Sequence, residues 1–257
     1  MGHTLLGSLP DTHPWQQVTS FLASDASVDQ IADVTTRAAI EGLQLAKDDA
    51  GYHHAVSLLV EVVRASDADD FASALKQVGV ETSPSPSVLE LTSAVVEAGD
   101  RYLAHKGNRT DFGEMALLAA AESITALAAG GTSGLFEHSP PAKYAVATLA
   151  NEKGFARLGQ DFFARFMTRF LNYHLSRELS NHVGACRRFM APNAQTDFVQ
   201  QMEIHCRQAA RPIREYAGKW YGKHVYQGDT AETTAGFAAH ALTKLQDLMI
   251  VRGHRDA

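Results

Sequence analysis

The sequence predicts an all-α protein, a multi-helix bundle of roughly eight to ten helices. Hydrophobic residues recur at helical spacing almost throughout the chain, without a convincing alternating strand pattern or a repeat of fixed period. Several of these stretches open with a residue pair that is typical of helix N-termini. With 257 residues, 45% of them hydrophobic and 20% charged, the chain is long enough to bury a sizeable core.

Six helices are predicted in the first half of the chain, most with a start or stop signal. They span about 14–22, 27–49, 52–65, 68–78, 87–105 and 111–129. Pro14 suits the first turn of a helix, where no backbone hydrogen is needed. The prolines within 81–87 interrupt the helical pattern. Three pairs have the capping spacing: Ser27 with Gln30, Ser87 with Glu90, and Asp111 with Glu114.

The second half is predicted to be helical as well. A short helix near 143–151 precedes a long one from about Glu152, which breaks within 184–193. The next helix begins at about Ala194, and Pro212 kinks or restarts it. The final helix is predicted to follow the capping pair Asp229 and Glu232. Its buried face is predicted to consist of Phe237, Leu242, Leu245, Leu248 and Met249.

The charge balance changes sign across a stretch rich in glycine, serine and proline, Ala129–Pro141. Residues 1–140 contain 7 basic and 19 acidic side chains, whereas residues 141–257 contain 16 basic and 10 acidic ones. We therefore predict an acidic helical half at 1–135 and a basic helical half at 141–257, either as two packed subdomains or as one continuous domain. The two halves attract each other in one interpretation; in the other, the basic half binds an anion.

The amino-acid composition bears on membrane association and on the redox state of the protein's compartment. No apolar run approaches the roughly 20 residues that a membrane-spanning helix needs, so no membrane association is expected. The two cysteines, Cys186 and Cys206, do not suggest a disulfide framework, and a reducing cytoplasm fits best.

The segment 155–188 is the most informative part of the chain. Phe162, Phe166 and Phe170 share one helical face and are predicted to lie in the core. Beyond Asn172 a polar cluster occupies that side of the helix, and the apolar residues lie on a different side. The helix must therefore bend there or turn polar groups toward a cleft. The cluster consists of His174, Glu178 and Asn181, with Arg177 beside them.

Arg177 and His182 form an Arg-x4-His pattern, which Arg169 and His174 repeat. The pattern resembles the motif of HEPN-type ribonucleases, all-helical proteins found in toxin and defence systems. The resemblance implies that Arg177 and His182 are catalytic and act on the RNA 2′-hydroxyl and phosphate without a metal, across a dimer cleft. Five residues turn a helix by about 140°, so one chain alone would not bring the pair together.

Two other interpretations of this segment remain open. His174, Glu178, His182 and Cys186 follow one another at four-residue spacing, which can chelate a metal on one helical face. The common metal-binding signatures are absent, however, and we predict neither a metal nor a cofactor. In the third interpretation, the cluster is a structural network or a surface that binds a partner.

A basic and aromatic stretch follows between 207 and 226. Arg207, Arg211 and Arg214 fall on one helical face, where they can track phosphates, and neighbouring rings can stack bases. Alternatively, this is a solvated basic face with Trp220 and Tyr216 in the core. The candidate nucleic-acid-binding residues are Arg207, Arg211, Arg214, Lys219, Trp220 and Lys223.

Our leading hypothesis is a non-catalytic binding or assembly subunit. Its basic half is expected to engage an anionic partner, either a protein or a nucleic acid. A protein partner or a homo-oligomer is expected, and nucleic acid is a possible partner. The alternative is a HEPN-like ribonuclease that acts through Arg177 and His182.

Overall fold

The computed structural model describes residues 9–106, 109–129, 141–224 and 231–253. Within them the chain forms twelve α-helices, one turn of 3₁₀ helix at Ser180–His182 and no strand, which confirms the all-α class. The helices are α1 His13–Ala23, α2 Val28–Ala38, α3 Ile40–Ala46, α4 Ala50–Ala65, α5 Phe71–Gln77, α6 Val88–Lys106, α7 Asp111–Ala129, α8 Ala142–Ala147, α9 Glu152–Leu179, α10 Pro192–Ala209, α11 Arg211–His224 and α12 Ala231–Gly253.

Helix α9 is the central element of the bundle. It packs against α11, α7, α10 and α2, while α4 packs on α7, and α12 packs on α2 and α4. The predicted phenylalanine face is confirmed, because five rings of α9 are almost completely buried and contact neighbouring aromatic rings. These rings belong to Phe155, Phe162, Phe163, Phe166 and Phe170.

One of the predicted helix starts is confirmed in detail, and another begins one residue earlier than predicted. Ser27 and Gln30 form the predicted capping box, in which Ser27 Oγ accepts from the Gln30 nitrogen at 3.2 Å and Gln30 Oε1 accepts from the Ser27 nitrogen at 2.8 Å. At the start of α7, however, the cap is Thr110 rather than Asp111, because its hydroxyl accepts a bond from the Gly113 nitrogen at 3.0 Å. Asp111 is the first helical residue instead.

The single helix predicted over 27–49 is two helices, α2 and α3. Between them Ala39 leaves helical geometry, with φ −96° and ψ 11°. Just before it, the buried Thr35 and Thr36 hydroxyls donate back to the carbonyls of Ile31 and Ala32. Such bonds favour a bend in a helix, and here two consecutive ones directly precede the break.

The breaks predicted in the second half are present. Helix α9 ends at Leu179, the backbone turns through Ser180–His182, and α10 begins at Pro192. Pro212 does restart the helix, since α10 ends at Ala209 and α11 begins at Arg211.

One cluster of buried side chains runs from Leu9 to Leu245 and includes residues of both predicted halves. Whether the halves are separate domains stays a prediction. The described residues do not include 130–140, which make up most of the boundary stretch. They also do not include the Asp229 cap or the side chains of Leu248 and Met249. None of the described helices has the length and apolar character that crossing a membrane requires.

Candidate functional site

Helices α9 and α11 approach each other closely because small residues lie where they cross. A methyl group on Gly159 would lie 2.6 Å from the Ala217 Cβ, and one on Gly218 would lie 2.7 Å from the Glu152 carbonyl oxygen. Such separations are shorter than van der Waals contact, so only glycine fits at these positions. The close approach places the first turn of α9 against the side of α11.

A groove of about 590 Å³ lies at this junction, and basic side chains dominate its lining. Lys153 and Arg157 come from α9, and Arg211 and Arg214 come from α11. All four side chains are exposed, and none forms an ion pair with a carboxylate among the described residues. We call these four residues the basic groove.

The start of α9 adds to the positive potential of the basic groove. Asn151 caps the helix by accepting a bond from the Gly154 nitrogen at 2.9 Å, and both residues line the groove. A helix of 28 residues directs the positive end of its dipole toward this turn. Two carboxylates also line the groove, Glu152 and Glu215. Glu215 is neutralised by Lys219, whose ammonium lies 2.6 Å away.

The six basic-stretch residues predicted from sequence therefore fall into different surroundings. Arg211 and Arg214 face the groove, and Lys223 is exposed. Arg207 instead contacts the buried carboxylate of Asp161 at 3.5 Å and Glu203 at 3.5 Å. Lys219 is held by Glu215, as described above.

Trp220 does not lie on the surface. Its side chain is 7% exposed, and its ring stacks on Phe237 with the ring centres 4.4 Å apart. Tyr216 also stacks on Phe237, at 5.5 Å. These rings anchor α11 to the core, as in the alternative interpretation of the stretch, and Trp220 offers no free face for a nucleotide base.

The polar cluster at the end of α9 is divided between two places. His174 lies among aromatic rings, with ring centres 4.8 Å from Trp15, 5.1 Å from Phe170 and 5.1 Å from Tyr173. Burial and then the nearby Arg177 cation lower the pKa of His174 from 6.5 to about 4. The other two members pair with each other, because the Asn181 amide donates to Glu178 at 3.0 Å.

Arg177 and His182 have different neighbours. The Arg177 guanidinium lies over the Tyr173 ring, 4.7 Å from its centre. His182 lies in the 3₁₀ turn, where burial lowers its pKa and the Glu178 carboxylate opposes that effect. The charged groups that influence His182 are Glu178, Arg187 and Arg188, whereas Arg177 acts on His174 and Tyr173.

The four-residue spacing through Cys186 does not stay on one helical face, because α9 ends at Leu179 and Cys186 adopts a left-handed φ of 61° in the following loop. Cys206 is buried in α10. Among the described residues, no three His, Cys, Asp or Glu side chains gather as a metal ion would require.

Sequence reasoning missed a second cavity, of about 430 Å³, that lies beneath α3. Among its lining residues, only His174 was singled out as a candidate site residue. Tyr173 precedes it in α9, but the other polar members come from the starts of α4 and α7, so no local spacing connects these to His174. Sequence reasoning also missed Lys153 and Arg157. The sequence contains only a weak indication that these two residues belong to a site. Both follow the capping Asn151 and lie on the face of α9 that meets α11.

Comparison with protein families, with curated proteins and with solved structures found no match to this chain. What the chain does must therefore be inferred from the chemistry of its own surfaces.

Proposed function

We propose that this protein is a non-catalytic binding or assembly subunit and that its basic groove engages an anionic partner, either a protein or a nucleic acid. One observation carries the proposal: four exposed basic side chains converge on the first turn of a long helix without a carboxylate partner among the described residues. Unpaired cations that share a concave surface attract anions, because no internal partner competes for them.

The types of side chain support an anionic ligand further. Three of the four are arginines, whose planar guanidinium groups bind phosphate or carboxylate oxygens through two parallel hydrogen bonds. The free backbone N–H groups of the first turn of α9 can donate to the same oxygens. The groove therefore combines charge with directional donors.

The alternative proposal, a HEPN-like ribonuclease, rests on Arg177 and His182. These residues lie at the other end of α9 from the basic groove, roughly 35–40 Å away by the rise of an α-helix. Because their neighbours differ within one chain, a second copy would have to complete such a site. The distance allows variants to test the two proposals separately.

The first prediction concerns Arg211→Ala and Arg214→Ala. Each should weaken binding of a fluorescein-labelled RNA oligonucleotide or a polyglutamate peptide by about three- to tenfold, since each removes one charged contact. Fluorescence anisotropy at salt concentrations from about 50 to 200 mM should also show a shallower salt dependence for each variant with RNA. Comparing the two probes identifies the class of partner.

Lys223→Ala is the matched control, because it removes one positive charge from an exposed side chain of the same helix that does not line the groove. It should bind nearly as the unaltered protein does. An equal loss in all three variants, or affinity independent of salt, would contradict the proposal. RNA cleavage that His182→Ala abolishes would favour the ribonuclease.

A further inference from the structure

The second cavity, of about 430 Å³, lies between α3, the start of α4, the first turns of α7 and the second half of α9. One side of it is apolar and largely aromatic. Phe112 and Phe170 face each other with ring centres 6.1 Å apart, and Leu45 and Met115 extend this wall. Cavities of roughly 300–1,000 Å³ with apolar walls and a few polar groups are typical of small-molecule sites.

Two carboxylates lie at the polar side of this cavity. Asp49 uses one oxygen to cap α4 by accepting a bond from the Tyr52 nitrogen at 2.7 Å, which leaves its charge in place. The Asp111 carboxylate acts on the Tyr173 hydroxyl and raises the pKa of Tyr173. Neither of these neighbours neutralises the carboxylate that it contacts or influences.

His174 completes the polar side without adding charge at neutral pH, because its pKa is lowered to about 4. Its Nδ1 atom is buried and has no hydrogen-bond partner among the described residues. Among the residues that the structure describes, no Lys or Arg side chain lines the cavity. Arg177, which is not a lining residue, lies against the ring of Tyr173, and its charge contributes to the lowered pKa of His174. The described lining thus carries two negative charges, from Asp49 and Asp111.

We propose that this cavity binds a small organic cation, an amine that carries an apolar or aromatic group. The ammonium donates to the carboxylates of Asp49 and Asp111. The hydrocarbon part lies against Phe112 and Phe170, whose rings also attract a nearby positive charge. An anion of the same shape is repelled by the two carboxylates, and a neutral analogue gains only the apolar contact.

The test uses three probes of similar shape: phenethylamine, 2-phenylethanol and phenylacetate. Isothermal titration calorimetry and chemical-shift changes should show binding in that order, with phenylacetate weakest. Asp111→Asn should weaken phenethylamine binding by about tenfold, because a charged contact becomes a neutral one. Asp49→Asn should do the same, and asparagine caps a helix as well as aspartate does, so α4 should stay intact.

Two further variants make the result decisive. Asp197→Asn removes an equally exposed carboxylate from α10 and should leave phenethylamine affinity unchanged. Gly42→Leu should abolish binding, because a side chain at Gly42 extends toward Phe112 and Phe170, which a Cβ would approach to 3.9 and 3.8 Å. Circular dichroism establishes that each variant is folded.

Three results would overturn the proposal: no binding of phenethylamine at millimolar concentration, equal binding of phenylacetate, or undiminished binding in the folded Asp49, Asp111 and Gly42 variants. These outcomes are independent of the basic groove at the far end of α9, so either proposal can fail while the other stands.

Discussion

His174 gives the clearest case of a single side chain whose surroundings decide its chemistry. Trp15, Phe170 and Tyr173 surround its ring, and none of them compensates for the loss of water around a charged imidazole. The neutral form is therefore favoured in the folded protein, whereas the unfolded chain protonates this histidine normally. His54 behaves similarly, stacked on Tyr102 at 3.7 Å with its pKa lowered to about 4.

This difference predicts how stability changes with pH. Above pH 6.5 the imidazole is neutral in both states and contributes no pH dependence. As the pH falls from 6.5 toward 4, the unfolded state takes up the proton and the folded state does not, so stability is lost over that window. Because the ring is partly exposed, we expect a loss of about 1 kcal/mol between pH 7 and pH 5 from His174.

The measurement is urea unfolding at pH 7 and pH 5. His174→Phe should lose about 1 kcal/mol less stability between these values than the unaltered protein, since the variant has no imidazole to protonate. His240→Gln alters an exposed histidine on α12 and is the control. Identical pH dependence in the unaltered protein and His174→Phe would show that the ring is solvated like an ordinary histidine.

The sequence predicted the character of a single residue better than it predicted which other residues surround it in the fold. His174 was expected to be polar and near a cleft, and it does line a cavity. Asp49 and Asp111 could not be assigned to the same cavity. Asp49 lies 61 residues before the first cavity residue at the start of α7, and no pattern in the sequence connects the two segments. The buried position of Trp220 is likewise a result of packing against α12.

Among the helices, the crossing of α9 and α11 depends most on residue size. Gly159 meets Ala217, and Gly218 meets Ala156 and Glu152, so the two helices pack with almost no side chain between them. The basic groove exists because this contact holds the basic residues of α11 against the start of α9. A larger residue in the contact should both destabilise the fold and alter the groove.

We predict that Gly159→Ala lowers the free energy of unfolding by about 1–2 kcal/mol. The added methyl group overlaps the Ala217 Cβ, at a cost of about 1–3 kcal/mol, and the better helix propensity of alanine offsets part of it. Chemical denaturation at pH 7 measures the change. The same substitution should also weaken RNA or polyglutamate binding at the groove.

Gly236→Ala provides the matched comparison. Gly236 lies in α12 with open space where its Cβ would be, so alanine should raise the free energy of unfolding by about 0.5–1 kcal/mol through helix propensity alone. If both substitutions changed stability in the same direction, the close contact of α9 with α11 would not be the cause.

The helices themselves were largely predictable, because their apolar spacing and end signals are local. Ser27 with Gln30 marked the start of α2, and Pro212 marked the start of α11. The break at Ala39 was not predicted, since back-bonding like that of Thr35 and Thr36 also occurs inside unbroken helices, as at Thr168, and so does not mark a helix end in the sequence. The Thr110 cap was missed in favour of its neighbour Asp111.

For the whole molecule, the question is whether the acidic and basic halves fold as one unit. Helices α7 and α9 pack directly on each other, as do α12 and both α2 and α4. Charged contacts also cross between the halves: Arg165 pairs with Glu122 at 3.2 Å, and Arg169 pairs with the same carboxylate. Some basic side chains of the second half therefore pair with acidic side chains of the first half. The basic groove consists of basic side chains that have no such partner among the described residues.

We predict a single cooperative unfolding transition. The two tryptophans report on one half each, because Trp15 lies in α1 and Trp220 lies in α11. In the variants Trp15→Phe and Trp220→Phe, the fluorescence of the remaining tryptophan should change at the same urea concentration as the circular dichroism of that variant. Fluorescence and dichroism midpoints that differ within one variant would instead indicate two separately folding domains.

The two cysteines give this chain a built-in position for chemical labelling. Burial raises the pKa of the Cys206 thiol to about 12, so almost none of the reactive thiolate forms at neutral pH. Cys186 is exposed in the loop after α9. A maleimide dye added to the unaltered protein should therefore attach at that loop alone. The dye would lie at one end of the central helix, and a labelled anion in the basic groove would lie at the other end. Energy transfer between the two fluorophores can measure the distance between them.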